Sequence, residues 1–484
     1  MMNQPASLDN TLYPRFQPDQ NSILNWAAIL AFVLVSTLLM GLGAGKILNI
    51  AFPAGSFLVG ILLYFRAPVL YVGFCWWVCF LCSFVRRVAD WRSGYTDPSP
   101  ILLSPFLVAF VALIGLWQCI PKCHRQGSLP FVLATIGIIY ASLIGLINQP
   151  LVAVVKSFLE WSSPVIFGHH LFINWRNYPL YRRSLQQTFL WGILVMGFYG
   201  IFQYMTLPEW DSFWITNSGF DALAPGTDVP APQGIRVFST LNSQEPFTAV
   251  MTAGMLLLFG SRSILQFPAY VSGGLCLLLS SVRSSWIGLA LGFLMLMASA
   301  NLKLQIRLIL IGIAAGMCIF TLANIEPFST LIQDRFSTLA DVENDGSANI
   351  RRGAFSELIG QALTSLVGYG IAGSTYDSSI LAMLLNLGWL GTVFYAGGLT
   401  LLVWSVFCDI TLSVDPIVGV IRAITISALI RLPINVPMLE ASGMALWGFL
   451  GLGLAASKYY QRQAYHDDRA IYPLLESPES TQVK

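Results

Sequence analysis

The chain has 484 residues, 55% of them hydrophobic and only 10% charged, with a formal net charge of +2. A soluble domain carries roughly a quarter of its residues charged, so this composition excludes a soluble globular protein. The small net charge argues against a nucleic-acid partner and gives basic residues meaning only through their location.

Apolar runs recur along nearly the whole length, and a helical crossing of a bilayer takes about 20 residues, which predicts an all-α polytopic membrane protein of about twelve to fourteen transmembrane helices. Residues 1–23 form a polar tail without the basic start and short apolar core of a cleaved signal peptide, so the first helix is expected to be retained. The N-terminal membrane block, 24–206, has crossings expected near 24–45, 47–65, 68–85, 101–119, 129–147, 151–172 and 188–206. A first large loop, 207–245, is rich in Gly, Pro, Asn and Asp and favours irregular backbone. The central block, 246–323, has crossings near 246–261, 266–281, 285–300 and 308–323. A second large loop, 324–378, precedes the C-terminal block, 379–457, with crossings near 379–407, 416–432 and 444–457, and residues 458–484 form a tail.

The basic loops "PKCHRQ" (121–126), "NWRNYPLYRR" (174–183) and "NLKLQIR" (301–307) belong in the cytoplasm by the positive-inside rule. Alternation then places both termini in the cytoplasm and both large loops outside. It also places "RRVADWRSGYTDPSP" (86–100) outside, where its three arginines violate the rule. Either the count slips by one span there, or those arginines serve something on that face. In the second loop, "SANIRRGAFSELIGQAL" (347–363) predicts an amphipathic helix on the outer surface, capped by Ser347, with Ile350, Ala354, Leu358 and Ile359 as its apolar residues.

"LLLSSVRSSWIGLAL" (277–291) sets Arg283 amid apolar residues, and an arginine at mid-membrane costs roughly 2.5–3.5 kcal/mol on insertion scales. Residues 266–300 are too many for one crossing and just enough for two short ones, so a turn is predicted at Arg283. There the side chain reaches headgroups or water.

The outer face thus gathers Arg86, Arg87, Arg92, Arg236, Arg283, Arg335, Arg351 and Arg352 and almost no lysine. Guanidinium forks match phosphate oxygens two at a time, which points to a diphosphate site. The competing explanation is that arginine outnumbers lysine throughout the chain. Lys156 and Glu160, four apart within a predicted span, share a helix face and are expected either to line a cavity or to form a structural ion pair.

Metal ligation has little support. Cys75, Cys79, Cys82, Cys276 and Cys318 lie in apolar runs, where cysteine acts as a small hydrophobe. Cys119, Cys123 and His124 lack a fourth ligand. "DVENDGSANIRR" (341–352) imitates the first half of a calcium loop, but position twelve is Arg352 instead of glutamate, so it reads as a turn into the surface helix. His169 and His170 read as interfacial residues. No cofactor is expected.

"LLLSSVRSSWIGLAL", then "SANIRRGAF", then "LVGYGIAGSTYDSSILAMLLNLGWLG" (366–391) together resemble the signature region of the O-antigen ligase and polymerase superfamily. That family has an arginine motif at a helix start, a large outer loop with an asparagine-x-arginine helix, a Gly-x-Gly turn, and a polar pair opening an apolar helix with a Gly-x-x-Gly step. The likeness covers roughly residues 236–395, and "RVFSTLNSQEPF" (236–247) and "RRVADWRSGYTDPSPILLSP" (86–105) look like segments of the same kind of protein. One departure matters: the ligases have His-Asn as the polar pair, and here Asp377 and Ser378 stand there. A carboxylate can take a proton from a sugar hydroxyl, and the pattern fits the polymerase side better than a lipid A core ligase. Asp377 also suits the N-cap of the helix that follows.

The resemblance implies a metal-independent glycosyltransferase at the outer side of a bacterial inner membrane, working on polyprenyl-diphosphate-linked glycan in polysaccharide biosynthesis. Its acceptor would be a glycan or a lipid-linked glycan, with a chain-length regulator or export proteins as further partners. Arg283, Arg351, Arg236, Arg352 and Arg87 would bind the diphosphate, and Asp377 or Glu245 would activate the acceptor. Neither outer loop has an Asp-x-Asp pair for a nucleotide sugar's metal. A transporter, for example for inorganic carbon or a small solute, is the rival from another class, although no internal repeat is evident. A non-catalytic membrane scaffold is the third reading.

Overall fold

The computed structural model describes residues 23–119, 127–220, 233–259, 263–300, 302–322, 324–325, 346–373, 376–409 and 415–471. The chain is an all-α polytopic membrane protein, with no strand among those residues. In order the helices are α1 Ile23–Gly41, α2 Gly45–Arg66, α3 Pro68–Ser93, α4 Ser104–Phe110, α5 Leu113–Cys119, α6 Leu129–Asn148 and α7 Leu151–Ile173. Next come α8 Tyr178–Thr206, α9 Glu209–Ser218, α10 Gln244–Leu258, α11 Gln266–Leu279, α12 Arg283–Ser299 and α13 Leu302–Leu322. The last are α14 Gly346–Thr364, α15 Ser379–Ala382, a π-helical turn Met383–Leu387, α16 Gly388–Cys408, α17 Pro416–Leu429 and α18 Glu440–Ile471.

Among the described residues eight helical stretches are long and apolar enough to cross a bilayer, and α11, α12 and α17 are shorter apolar helices. The apolar runs read from the sequence are helical, but the run at 101–119 is broken into a 3-10 turn, α4 and α5. Outward-facing Leu30, Leu58, Ile147, Phe198 and Trp404 are exposed, as lipid-facing side chains are. Within the bundle, where lipid tails are as apolar as leucine, close backbone approach drives association. α7 crosses α18 at Gly168 and Gly451, so tightly that a Cβ on Gly451 would collide with the Gly168 carbonyl.

Polar ties fix which loops share an end. At one end Asp415 caps α17 by accepting from the Ile417 N–H (3.0 Å), and it also accepts from Tyr178 (2.5 Å), Tyr460 (2.9 Å) and Arg182 (3.1 Å). At the other end Arg87, late in α3, pairs with Asp211 on α9 at 2.7 Å and donates to the carbonyls of Ser239 and Leu241. There the Val237 N–H donates to the Leu279 carbonyl at the end of α11 (3.1 Å), and Ser442 in α18 donates to Glu245 in α10 (3.1 Å).

The 86–100 segment therefore lies with the first large loop. Two of its three arginines are neutralised inside the protein, and the third, Arg92, is exposed over the Trp91 ring. Arg86 pairs with Asp90 (3.0 Å) and donates to the Thr96 carbonyl (3.0 Å), and Arg87 and Asp211 are both 0% exposed. This corrects the expectation for Arg87 as a diphosphate ligand: its guanidinium is consumed by a carboxylate and two carbonyls.

The chain reverses at Ser280–Val282, and Arg283 is the first residue of α12. The surface helix also forms, with differences. α14 begins at Gly346, so Ser347 lies inside it and not at its cap. Its packed stripe is Phe355, Leu358, Ile359 and Ala362 against Ile380, Leu381, Leu384 and Leu385, whereas Ala354 is exposed. The helical spacing from Leu358 and Ile359 favours Phe355 over the smaller Ala354. The Ile350 side chain lies outside the described residues.

The predicted crossing at 379–407 is split by the π-helical turn, and the loop before it supplies the missing partners. The carbonyls of Ser365 and Leu366 accept from the N–H groups of Trp389 (3.1 Å) and Leu390 (3.2 Å), and the Tyr369 N–H donates to the Leu385 carbonyl (2.7 Å). Ile371 reaches the Ala141 carbonyl of α6 (3.1 Å). Gly388 turns with φ +66°, and a Cβ on it would collide with the backbone at Val367, so only glycine fits. Non-helical backbone is tolerated in a membrane protein where protein surrounds it in this way.

Removing one partner of a buried ion pair strands the other charge, at about 3–5 kcal/mol. Arg87→Met is therefore expected to lower the unfolding temperature of the purified protein sharply, while Arg87→Met with Asp211→Leu recovers at least half of the loss. Thermal unfolding in detergent checks both.

Candidate functional site: an acidic cleft at one end of the bundle

The end that carries the first large loop opens into a cleft of about 290 Å³. Its polar wall is Ser243, Glu245, Asp377, Asn435 and Glu440, and Ile434, Val436 and Leu439 make an apolar side. Glu245 and Asp377, expected from the two separate large loops, thus meet in one cavity. The helices explain how. Glu245 stands in the first turn of α10, where the helix dipole favours a carboxylate. Its Oε2 accepts from Ser442 (3.1 Å), its Oε1 lies 3.7 Å from Nη1 of Arg431, and its side chain keeps 29% of its surface open.

Asp377 is exposed and does not cap the following helix. Ser378 takes the cap position of α15, and Ser379 is held by the carbonyls of Leu432 (2.9 Å) and Asn435 (3.0 Å from its N–H, 2.8 Å from its hydroxyl). These bonds fix the backbone at Asp377 and leave its carboxylate to the cleft.

Two charged residues of the site were not singled out in the sequence. Glu440 opens α18 at φ +52°, a left-handed conformation that costs a non-glycine residue about 1–3 kcal/mol. Arg431, just past α17, is 3% exposed and lies behind Glu245. Each is the lone charge of its neighbourhood in "ALIRLPINVPMLEASG" (428–443), and a charge in an apolar run is a functional candidate by default. That signal could have found both.

Lys156 and Glu160 form an ion pair on α7 (3.5 Å), with side chains 55% and 14% exposed. They stand one step back from the cleft wall, within electrostatic reach of Glu440.

None of the described arginines is on the cleft wall. Arg283 is half-buried, and the hydroxyl of its neighbour Ser284 accepts from the cleft residue Asn435 (3.0 Å). Arg236 is half-buried on the strand of loop that binds the end of α11 through Val237. Arg352 is exposed on α14. Arg335, the Arg351 side chain, Cys123, His124 and residues 341–345 of the calcium-like stretch lie outside the described residues. His169 and His170 are buried, not interfacial: His169 lies 3.3 Å from the Ser128 hydroxyl, and His170 packs among Tyr64, Tyr71 and Tyr181.

No protein-family model matches the chain, and no curated protein matches it.

The left-handed backbone at Glu440 is expected to cost stability. Glu440→Gly, which removes the left-handed penalty, is expected to raise the unfolding temperature by an amount equivalent to about 1 kcal/mol. A scan of both proteins in the same detergent checks it, and an unchanged or lower temperature would show that the conformation is not strained.

Proposed function

We propose that this chain is a membrane glycosyltransferase of the O-antigen ligase and polymerase kind. It would extend or transfer polyprenyl-diphosphate-linked glycan at the outer side of a bacterial inner membrane, with both termini cytoplasmic. The observation that carries the reading is the cleft in which Glu245 and Asp377 meet beside the turn that bears Arg283. The order of sequence motifs from 277 to 391 supports it independently.

In this reading the acceptor hydroxyl enters the cleft, and Asp377 or Glu245 takes its proton as its oxygen attacks the donor's anomeric carbon. The bond from that carbon to the diphosphate breaks, and the lipid diphosphate leaves with the electron pair. Arg283 and Arg236, joined by Arg351 and Arg352 of α14, would meet the charge that gathers on it. The open side of the cleft would admit a glycan, and the bilayer would hold the polyprenyl tail. A chain-length regulator or an export protein would be a partner on this face.

The excess of carboxylates favours a second reading, a carrier that takes up a cation or a proton-coupled solute. Glu245, Glu440 and Glu160 form an acidic set with Arg431 and Lys156, as charges do along transport paths.

Purified protein given a polyprenyl diphosphate oligosaccharide, with no nucleotide sugar, should yield longer glycans. Arg283→Ala and Asp377→Asn are each expected to reduce that product at least about a hundredfold with unchanged abundance in the membrane. Uptake by sealed vesicles without glycan lengthening would replace the enzyme with the carrier.

A further inference from the structure

The short turn after α17 connects every part of the candidate site. Arg431 donates from Nε to the Ser427 carbonyl (3.1 Å), and its Nη1 lies 3.4 Å from the Ser285 hydroxyl and 3.7 Å from Glu245 Oε1. Ser285 stands two residues into α12 from Arg283 and donates to Thr248 of α10 (2.6 Å). Four residues on, Asn435 donates to Ser284 (3.0 Å) and accepts from Ser379, two residues past Asp377. One helical turn therefore touches the Glu245 carboxylate, the start of the Arg283 helix and the backbone that carries Asp377.

The charges around Glu245 make this arginine decisive. Glu440 faces it from α18, with Glu160 and Lys156 of α7 behind, and Asp377 faces the same cleft from ahead of α15. Arg283 stands at the start of α12. Among the described residues Arg431 is the cation in ion-pair contact with Glu245. An arginine keeps its charge even when buried, and an opposite charge within about 4–6 Å favours the ionised form of a carboxyl group.

We infer that Arg431 is a positioning residue: it stands in ion-pair contact with the Glu245 carboxylate, favours its ionised form, and ties that carboxylate to the helix end that bears Arg283. Burial of Glu245 opposes that form. The assignment rests on the reading above, in which Glu245 can take the acceptor's proton. Arg431 is 3% exposed and is not on the cleft wall, so it acts through Glu245 and does not itself touch substrate there.

The test uses the purified full-length chain and dicyclohexylcarbodiimide, which modifies protonated carboxyl groups. Labelling of the Glu245 and Glu440 peptides is followed by mass spectrometry against pH. In the natural sequence Glu245 should reach half-labelling at a lower pH than Glu440, which shares the cleft and has no guanidinium in ion-pair contact among the described residues. Arg431→Gln should move the Glu245 midpoint upward by about one pH unit or more, and Arg431→Lys should leave it near its original place. In the glycan assay the acid limb of the rate profile for Arg431→Gln should move upward with it, because the proton acceptor then ionises only at higher pH.

Equal midpoints for Glu245 and Glu440 in the natural sequence would overturn the inference whether or not the glutamine variant folds. So would loss of transfer in Arg431→Gln with no displacement of the acid limb, which is the mark of a merely structural arginine. Absence of glycan transfer by the natural sequence, with the labelling order as expected, would sink the enzyme reading and leave the Arg431–Glu245 relation standing.

Discussion

A charge held inside a membrane bundle has to find its counter-charge within the protein, and this fold is organised around that requirement. Water cannot reach Arg87 or Asp211, so each depends on the charge of the other, with Tyr199 and Gln203 donating to Asp211 as well. The pair fastens the end of α3 to α9, and the two carbonyls that Arg87 also engages draw the 239–241 stretch onto the same point. The Glu245–Arg431 contact applies the same logic at the cleft, with one difference. There the carboxylate keeps part of its surface open, so the pair can serve chemistry as well as packing.

The opposite end shows the constraint in its purely architectural form. Asp415 receives a helix N–H, two tyrosine hydroxyls and an arginine, which leaves its carboxylate nothing further to do. The cleft acids are placed otherwise. Asp377 is exposed, and Glu440 is held in an unfavourable backbone conformation at the mouth. Backbone strain and exposed acids of this kind are common marks of a functional site.

Much of this was legible in the sequence, for a physical reason: hydrophobic runs of crossing length have few alternatives to a membrane helix. The reversal at Arg283 followed from the same arithmetic, because residues 266–300 cannot be one crossing. Arg87 was misread because a run of arginines in an outer loop looks the same whether it meets a ligand or an internal aspartate, and Asp211 lies far away in the sequence. Ala354 was placed on the wrong side of α14 because an alanine satisfies an apolar pattern without filling space, and Phe355 fills it. Arg431 and Glu440 were visible as lone charges, but only their position around one cavity distinguishes them from helix-end residues.

The stretch from Ser365 to Ile371 does more than connect two helices. Its carbonyls act as the missing first turn of α16, and its Ile371 N–H is bonded to the middle of α6. A single inserted residue in this splice would therefore break the crossing itself. Change in length is excluded from that seam.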